Sequence, residues 1–179
     1  MAVRPIRLFG DPVLRQRSQE VTDFDRELRD LVVDLVDTMT AAQGGGIAAP
    51  QIGVGLRVFT YVVDGVIGHV VNPLVEVVGD EEQYGTEGCL SIPGVPIDCR
   101  RHLHVVTTGF DQYGEPLRLA GSGRFSMIVE HETDHLDGIL FVDRLDPEQR
   151  AQAEAAIREA EWSGGTVPEI RSSPHARMR

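Results

Sequence analysis

Apolar residues recur every three or four positions along residues 24–39, which is the repeat of one face of a helix. The pattern predicts a helix from about Asp23 to Ala42 that begins at Thr22 and packs one face on the core. Asp25 would complete a weak capping arrangement in its first turn. The glycines that follow, Gly44-Gly45-Gly46, are expected to end the helix. The apolar positions are Phe24, Leu28, Leu31, Val32, Leu35, Val36 and Met39.

Strand-forming residues fill the middle of the chain. Residues 57–63 and 66–71 flank Asp64-Gly65, a dipeptide typical of a two-residue hairpin turn. Asn72-Pro73 interrupts this run, so residues 74–78 are predicted to form a separate third strand. We therefore expect a hairpin followed by a short strand.

A second hairpin is predicted further along, where residues 103–110 and 116–119 flank a polar turn that contains a glycine. Between the two hairpins, Cys89 is followed closely by Pro93, Gly94 and Pro96. These breakers predict that Cys89 lies beside a loop at the end of a short strand.

Two more helices are predicted in the last third of the chain. The first spans about residues 123–137, with Ser122 as its cap. The second is capped by Asp146, has Pro147 at its first position and runs to about Trp162. Both therefore carry a start signal of the kind that helices in globular proteins use.

The length of 179 residues fits one globular domain, which we place at residues 1–162. Residues 163–179 contain glycine, proline, serine and arginine with almost no apolar content, so they are predicted to be a disordered tail. The hydrophobic fraction of 41% and the charged fraction of 25% are ordinary for a globular protein.

The net charge of -11 argues against broad, nonspecific binding to nucleic acid. No apolar run approaches the roughly 18 residues of a membrane span, and the first residues lack the features of a signal peptide. We expect a cytoplasmic protein. Only two cysteines occur, Cys89 and Cys99, which is too few for a fold held by disulfides.

His131, Glu132 and His135 form the pattern H-E-x-x-H. Residues four apart lie on the same face of a helix, so both imidazoles can bind one metal ion. Glu132 lies about 100° further round the axis and can reach a water on that ion, as in metal-assisted hydrolysis. The alternative is a chance match of ordinary helix residues. The apolar surroundings favour the metal site, because buried imidazoles and carboxylates need partners.

This pattern supplies two ligands and leaves a third to be found. Cys89 is a candidate, because it lies in the part of the chain with the most glycine and proline. Its alternative role is that of a small buried apolar residue. Cys99 and His69 have no comparable setting, and we expect both to be structural.

Three motifs of this chain resemble those of the peptide deformylases, the bacterial-type enzymes that remove the formyl group from the N-terminal methionine of new proteins. Residues 44–51, Gly-Gly-Gly-Ile-Ala-Ala-Pro-Gln, resemble the family's G-φ-G-φ-A-A-x-Q. Residues 87–91 match E-G-C-L-S, and residues 131–135 match H-E-x-D-H. The resemblance covers about residues 5–145. One position departs from the pattern, because Gly45 stands where the family usually has an aliphatic residue.

The resemblance implies an α+β fold in which antiparallel or mixed β-sheets pack around a central helix that carries the H-E-x-x-H motif. It implies hydrolysis of a formyl-methionyl peptide to formate and a free amino terminus. Cys89, His131 and His135 would hold one divalent metal ion, which lowers the pKa of bound water. The implied ion is Fe(2+), with Zn(2+), Ni(2+) or Co(2+) as substitutes, whereas the ligand types alone suit zinc.

The resemblance also assigns roles to individual residues. Glu132 would be the general base, while the Gln51 side-chain amide and the Leu90 backbone N–H would donate to the developing oxyanion. Glu87 would steady its loop by pairing with Arg100 or Arg101. The residues expected to bind substrate are Gly44, Gly45, Gly46, Glu87, Gly88, Met127 and Ile128, with His131 beside the methionine side chain.

The implied partners are formyl-methionyl nascent peptides, with no membrane and no specific nucleic-acid binding by the domain itself; a transient contact with the ribosome stays open. Two rival functions remain. A non-catalytic, metal-bound or ribosome-docking module is one, and the joint presence of Cys89, Gln51 and Glu132 argues against it. The other is a general metallopeptidase, which usually takes a third ligand from downstream of the motif. The downstream candidates are Glu148, Glu154, Glu159, Glu161 and His175.

Overall fold

Within residues 2–163, the part of the chain that the computed structural model describes, three α-helices and two antiparallel β-sheets are formed. The larger sheet has the strand order β1-β2-β3-β6-β7, and the smaller sheet pairs β4 with β5. This arrangement confirms the predicted α+β class. The helices are α1 (Arg26–Ala41), α2 (Arg124–Leu136) and α3 (Pro147–Glu159). The strands are β1 (Gly46–Ala48), β2 (Val58–Val63), β3 (Val66–Val77), β4 (Glu82–Cys89), β5 (Ile92–His102), β6 (His104–Phe110) and β7 (Pro116–Ser122).

The first helix forms as its apolar repeat predicts, but both of its ends differ from the prediction. Its N-cap is Asp25, whose side chain accepts a hydrogen bond from the Leu28 N–H, rather than Thr22. After the helix, Gln43 and not a glycine takes the left-handed conformation, with φ 54°. The predicted role of the three glycines in ending the helix was therefore wrong, and Gly46 instead begins β1.

The third strand runs without a break from Val66 to Val77, so the separate strand predicted after Asn72-Pro73 was wrong. The pairing with β6 shifts register between Val71 and Leu74, and this bulge accommodates Pro73, which cannot donate to a ladder. Asn72 adopts φ 50° there. Its side chain accepts from the Val21 N–H at 2.8 Å and donates to the Val21 carbonyl at 2.9 Å. These two bonds tie the N-terminal arm to the sheet.

The segment after Cys89 is a strand rather than the predicted loop. Cys89 and Ile92 pair across a tight turn, and β5 continues from Ile92 to His102. Pro93 and Pro96 are tolerated because β5 belongs to a two-stranded sheet and has one unpaired edge. The tight turn fixes Cys89 at the end of β4.

The second helix lies between the sheets, because its residues contact β1, β2 and β7 of the larger sheet and β5 of the smaller one. Val129 and Leu136 are buried against the larger sheet. The helix begins after Gly123, and the predicted cap Ser122 instead ends β7 with its hydroxyl 2.7 Å from His104 Nδ1. The prediction of a central helix that carries the motif is confirmed.

The last helix is capped by Asp146, whose side chain accepts from the Gln149 N–H at 2.8 Å. It ends at Glu159, before the predicted Trp162. Trp162 is buried and its indole N–H donates to the Pro93 carbonyl. The predicted disordered tail lies, apart from Ser163, outside the described residues. Within residues 2–163 no helix combines the length and the apolarity that a bilayer crossing requires.

The Asn72 side chain should contribute measurably to stability. Asn72→Ala removes both hydrogen bonds to Val21 and leaves an alanine, which tolerates the left-handed region less well than asparagine, at φ 50°. We expect the free energy of unfolding in urea to fall by about 3 kcal/mol. Asp64→Ala is the matched control, since Asp64 has φ 51° in the β2–β3 turn, and it should lose only about 1 kcal/mol. Equal losses in the two variants would show that the bonds to Val21 do not stabilise the fold.

Candidate active site

Helix α2 and strand β4 bring three donor side chains to one buried point. His131 and His135 lie one turn apart on α2, with ring centroids 5.0 Å apart. Cys89 ends β4 and places its Sγ 3.2 Å from His135 Nε2. One donor atom from each residue lies within 4.8 Å of the other two. The structure thus places Cys89 next to the two histidines, as the metal-site prediction requires.

The three donors fit a divalent metal ion. Burial lowers the pKa of His135 well below its ordinary value, which keeps that ring neutral and able to ligate. Burial acts in the same direction on His131, but hydrogen bonds to Cys89 and Glu87 outweigh it and raise the pKa of His131 well above its ordinary value. The surroundings of His131 therefore stabilise a positive charge at this point. A divalent cation would supply that charge in place of the proton on His131. A thiolate with two imidazoles is a donor set that zinc-like ions bind.

The downstream residues of the metallopeptidase alternative do not join this cluster. Glu148, Glu154 and Glu159 of α3, and Glu161 after it, are exposed to solvent. The three-donor group found among residues 2–163 takes its third member from Cys89 instead. His175 lies outside the described residues.

A buried ion pair between Glu87 and Arg101 holds His131 through its Nδ1. Its Nδ1 lies 2.7 Å from Glu87 Oε2, and since a carboxylate only accepts, the imidazole donates and leaves Nε2 for the cluster. Arg101 makes two parallel bonds to Glu87, from Nε at 2.6 Å and from Nη2 at 3.1 Å. Burial alone would raise the pKa of Glu87, but the bonds from His131 and Arg101 lower it to about 2. The predicted pairing of Glu87 is thus with Arg101, while Arg100 lies near Glu82.

Gln51 is fixed with its amide nitrogen toward the cluster. Its Oε1 accepts from the Ala48 N–H at 2.8 Å, which determines the orientation of the amide. Its Nε2 then lies 3.7 Å from Cys89 Sγ and 3.2 Å from Ser91 Oγ. A donor that points into the site is therefore available beside the cluster, and Ser91 is a supporting residue that the sequence did not single out.

Glu132 lies beside the same cluster and is 3% exposed. Burial raises its pKa to about 7, in the range that suits transfer of a proton near neutrality. A cation bound next to it would lower that value. Among the described residues its Oε2 has no hydrogen-bond partner, and such a buried acceptor has unused capacity for a substrate or water proton.

Residues 44–46, which lead into β1, pass close to Leu90 and Glu132 without side chains of their own. A Cβ at Gly46 would lie 2.9 Å from Glu132 Cγ, and one at Gly44 would lie 2.8 Å from Leu90 Cδ1. At Gly45, by contrast, a Cβ would lie 3.5 Å from Ile128 Cδ1 and in ordinary contact. A side chain at 44 or 46 would therefore have to displace Leu90 or Glu132, whereas one at 45 would make only ordinary contacts.

The other predicted substrate-binding residues lie on β4 and α2. Met127 Cε lies in the space that a Cβ on Gly85 of β4 would need, so the Met127 side chain packs directly on that glycine. Gly88 lies at the irregularity in the β4–β5 pairing, between Glu87 and Cys89. The Glu87 carboxylate is already bonded to His131 and Arg101. Glu87 is therefore placed to orient His131. Its contact with substrate stays a prediction.

The comparisons with known proteins agree with this geometry. The polypeptide deformylase family matches residues 3–151. The peptide deformylase of Acidothermus cellulolyticus is 60% identical over 175 residues, which cover 98% of this chain and 96% of the relative. That of Parafrankia sp. is 53% identical, with 98% and 96% covered. The crystal structure of peptide deformylase from Thermus thermophilus is 39% identical, has a TM-score of 0.82 and is matched over 87% of this chain and 93% of that one. The chain therefore belongs to the polypeptide deformylase family.

Proposed function

We propose that the chain removes the N-formyl group from the N-terminal formyl-methionine of newly made polypeptides and releases formate. Membership of the family supports this activity, and one structural observation carries it. Cys89, His131 and His135 converge at a buried point with Glu132 and the Gln51 amide beside them. A metal-dependent amide hydrolase needs that combination of ligands, base and hydrogen-bond donor.

Cys89, His131 and His135 would hold the metal ion, and we propose Fe(2+) as that ion, with Zn(2+), Ni(2+) or Co(2+) able to substitute. When bound, the ion polarises the formyl carbonyl and makes water a better nucleophile near neutral pH. The thiolate and the two imidazoles support an ion from the iron-to-zinc series over Mg²⁺ or Ca²⁺, which prefer oxygen ligands. The choice of iron within that series rests on the family alone.

Glu132 is proposed as the general base. It takes a proton from the attacking water and returns it to the departing amine, so that the amine leaves as a neutral group. Its burial beside the cluster and the lack of a hydrogen-bond partner for its Oε2 among residues 2–163 support this role. Gln51 and the Leu90 backbone N–H are proposed as donors to the formyl oxygen, where negative charge develops.

The substrate peptide is proposed to lie along β1, which is an edge strand of the larger sheet. An extended peptide can add to such an edge through backbone hydrogen bonds, and Gly46 lets it approach Glu132 closely. Gly45, Met127 and Ile128 would line the methionine side-chain site. Glu87 and Gly88 would form the opposite wall.

The remaining assignments are also proposals. Residues 1–162 are proposed as one catalytic domain, and residues 163–179 as a tail that the reaction does not need. The protein is proposed to act in the cytoplasm on nascent peptides, with or without a transient contact to the ribosome. The acidic net charge of -11 supports the absence of broad nucleic-acid binding.

A turnover assay tests the function directly. Metal-replete full-length protein is given formyl-Met-Ala-Ser, and formate and free Met-Ala-Ser are measured separately. We expect the two to appear in equal amounts with no cleavage of the Met-Ala bond. Cleavage of that bond without formate would favour a general metallopeptidase, and the absence of both products would favour a non-catalytic module.

Glu132→Gln should remove the base and keep the shape. Glutamine still donates and accepts hydrogen bonds but cannot hold the transferred proton. We expect kcat to fall by about 10²–10⁴-fold, with little change in KM or in bound metal. Metal content and kcat are measured on the same sample. A metal-depleted variant whose activity returns with added metal would show instead that Glu132 only supports the ligands.

The close approach of Gly46 to Glu132 provides a second test. Gly46→Ala places a methyl group against Glu132 and must displace its carboxylate, so kcat/KM should fall by about a hundredfold. Gly55→Ala is the control, since a Cβ there meets no atom within 4 Å and Gly55 lies in the loop before β2, and its kcat/KM should stay close to that of the parent. Steady-state kinetics on formyl-Met-Ala-Ser compares the two. Equal activity in both variants would show that the placement of Glu132 next to β1 does not matter for the reaction.

A further inference from the structure

The hydrogen bonds behind His131 continue past Arg101 to a residue that lies outside the three motifs. Arg101 Nη1 donates to Asp134 Oδ2 at 2.7 Å. Arg144 donates to the same carboxylate from Nε at 3.1 Å and from Nη2 at 2.6 Å. A continuous set of bonds thus runs from His131 through Glu87, Arg101 and Asp134 to Arg144. We call it the Glu87–Arg144 network.

Burial changes along this network. The side chains of Glu87, Arg101 and Asp134 are 3%, 4% and 9% exposed, whereas that of Arg144 is 47% exposed. The first three are buried charges, which destabilise a protein unless they are paired and fully hydrogen-bonded. Arg144 is the member that reaches solvent.

When His131 is neutral, as a metal-ligating histidine must be, the charges of the network balance only with Arg144 included. Glu87 and Asp134 are two anions that share the single cation Arg101, so these three residues alone carry one excess negative charge. Arg144 neutralises it. Without Arg144, Asp134 would depend on Arg101 alone, and the pull of Asp134 on that guanidinium would compete with its paired bonds to Glu87. The forked geometry of those bonds tolerates little rotation.

We propose that Arg144 is a positioning residue which, through Asp134 and Arg101, keeps Glu87 on His131 Nδ1 and thereby sets the affinity of the site for its metal ion. This rests on the proposed metal site at Cys89, His131 and His135. Glu87 determines which nitrogen of His131 faces the other two donors and how the ring is oriented. Loss of such an outer hydrogen-bond partner typically weakens metal binding about 10- to 100-fold.

The test compares Arg144→Gln with Arg150→Gln. Arg150 is a matched control, because its side chain is 49% exposed and it pairs with Asp143 and Glu154 but not with Asp134. The affinity of the full chain for Zn²⁺ is measured by competition with a chromophoric chelator. We expect Arg144→Gln to weaken Zn²⁺ binding about tenfold or more, while Arg150→Gln leaves it unchanged. Equal affinities in the two variants would overturn the proposal.

Two further variants separate positioning from a general loss of structure. In a Glu87→Gln background, Arg144→Gln should weaken Zn²⁺ binding much less, because the residue through which it acts has already been altered. An undiminished effect in that background would also overturn the proposal. Arg144→Lys keeps the positive charge but cannot make both parallel hydrogen bonds to Asp134. It should therefore recover only part of the Zn²⁺ affinity. If Arg144→Gln does not fold, Arg144→Lys against Arg150→Lys decides the question in the same way.

Zn²⁺ affinity is measured without substrate, so this result is independent of turnover. A protein that shows the predicted change in affinity but releases no formate would refute the proposed function and leave the positioning role intact. A protein that releases formate but shows the same Zn²⁺ affinity in both variants would refute the positioning role and leave the proposed function intact.

Discussion

Helix α2 buries four ionisable side chains within residues 131–135, and the rest of the structure is arranged around that constraint. His131, Glu132, Asp134 and His135 are each less than a tenth exposed. Each buried charge needs a partner, or it destabilises the fold. The partners come from outside the helix: Cys89 and Glu87 from β4, Arg101 from β5 and Arg144 from the segment after the helix. The contacts that hold the smaller sheet against α2 are therefore largely polar.

The same constraint connects the stability of the site with its chemistry. Glu87 accepts a hydrogen bond from His131 Nδ1 and so leaves Nε2 of that ring for the cluster, in which His135 Nε2 lies 3.2 Å from Cys89 Sγ. Two atoms of the four side chains, His135 Nδ1 and the acceptor Oε2 of Glu132, have no hydrogen-bond partner among residues 2–163. An unsatisfied buried acceptor is costly, and it is found where the proposed reaction needs a base. On the other side, Gly46 of β1 leaves the space next to Glu132 free of a side chain.

The parts of the fold that the sequence predicted correctly depend on local signals. The repeat in α1, the Asp64-Gly65 turn and the Asp146-Pro147 start each specify structure within a few residues. The errors arose where a distant residue decides. Asn72 does not end β3, because its side chain bonds to Val21, and Pro93 and Pro96 lie in β5 because one edge of that strand is free. The grouping of Cys89 with His131 and His135 was reached through motif resemblance. Arg144 could not be found at all, since neither periodicity nor a motif connects it with Glu87.

The central claim is that Cys89, His131 and His135 hold one metal ion at the point where the formyl group is cleaved. X-ray absorption spectroscopy of the zinc-loaded protein measures the ligands of that ion directly. We expect one sulfur at about 2.3 Å together with nitrogen or oxygen ligands at about 2.0–2.1 Å, and loss of the sulfur signal in Cys89→Ser. A spectrum of the parent protein without sulfur, or one that Cys89→Ser leaves unchanged, would contradict the account.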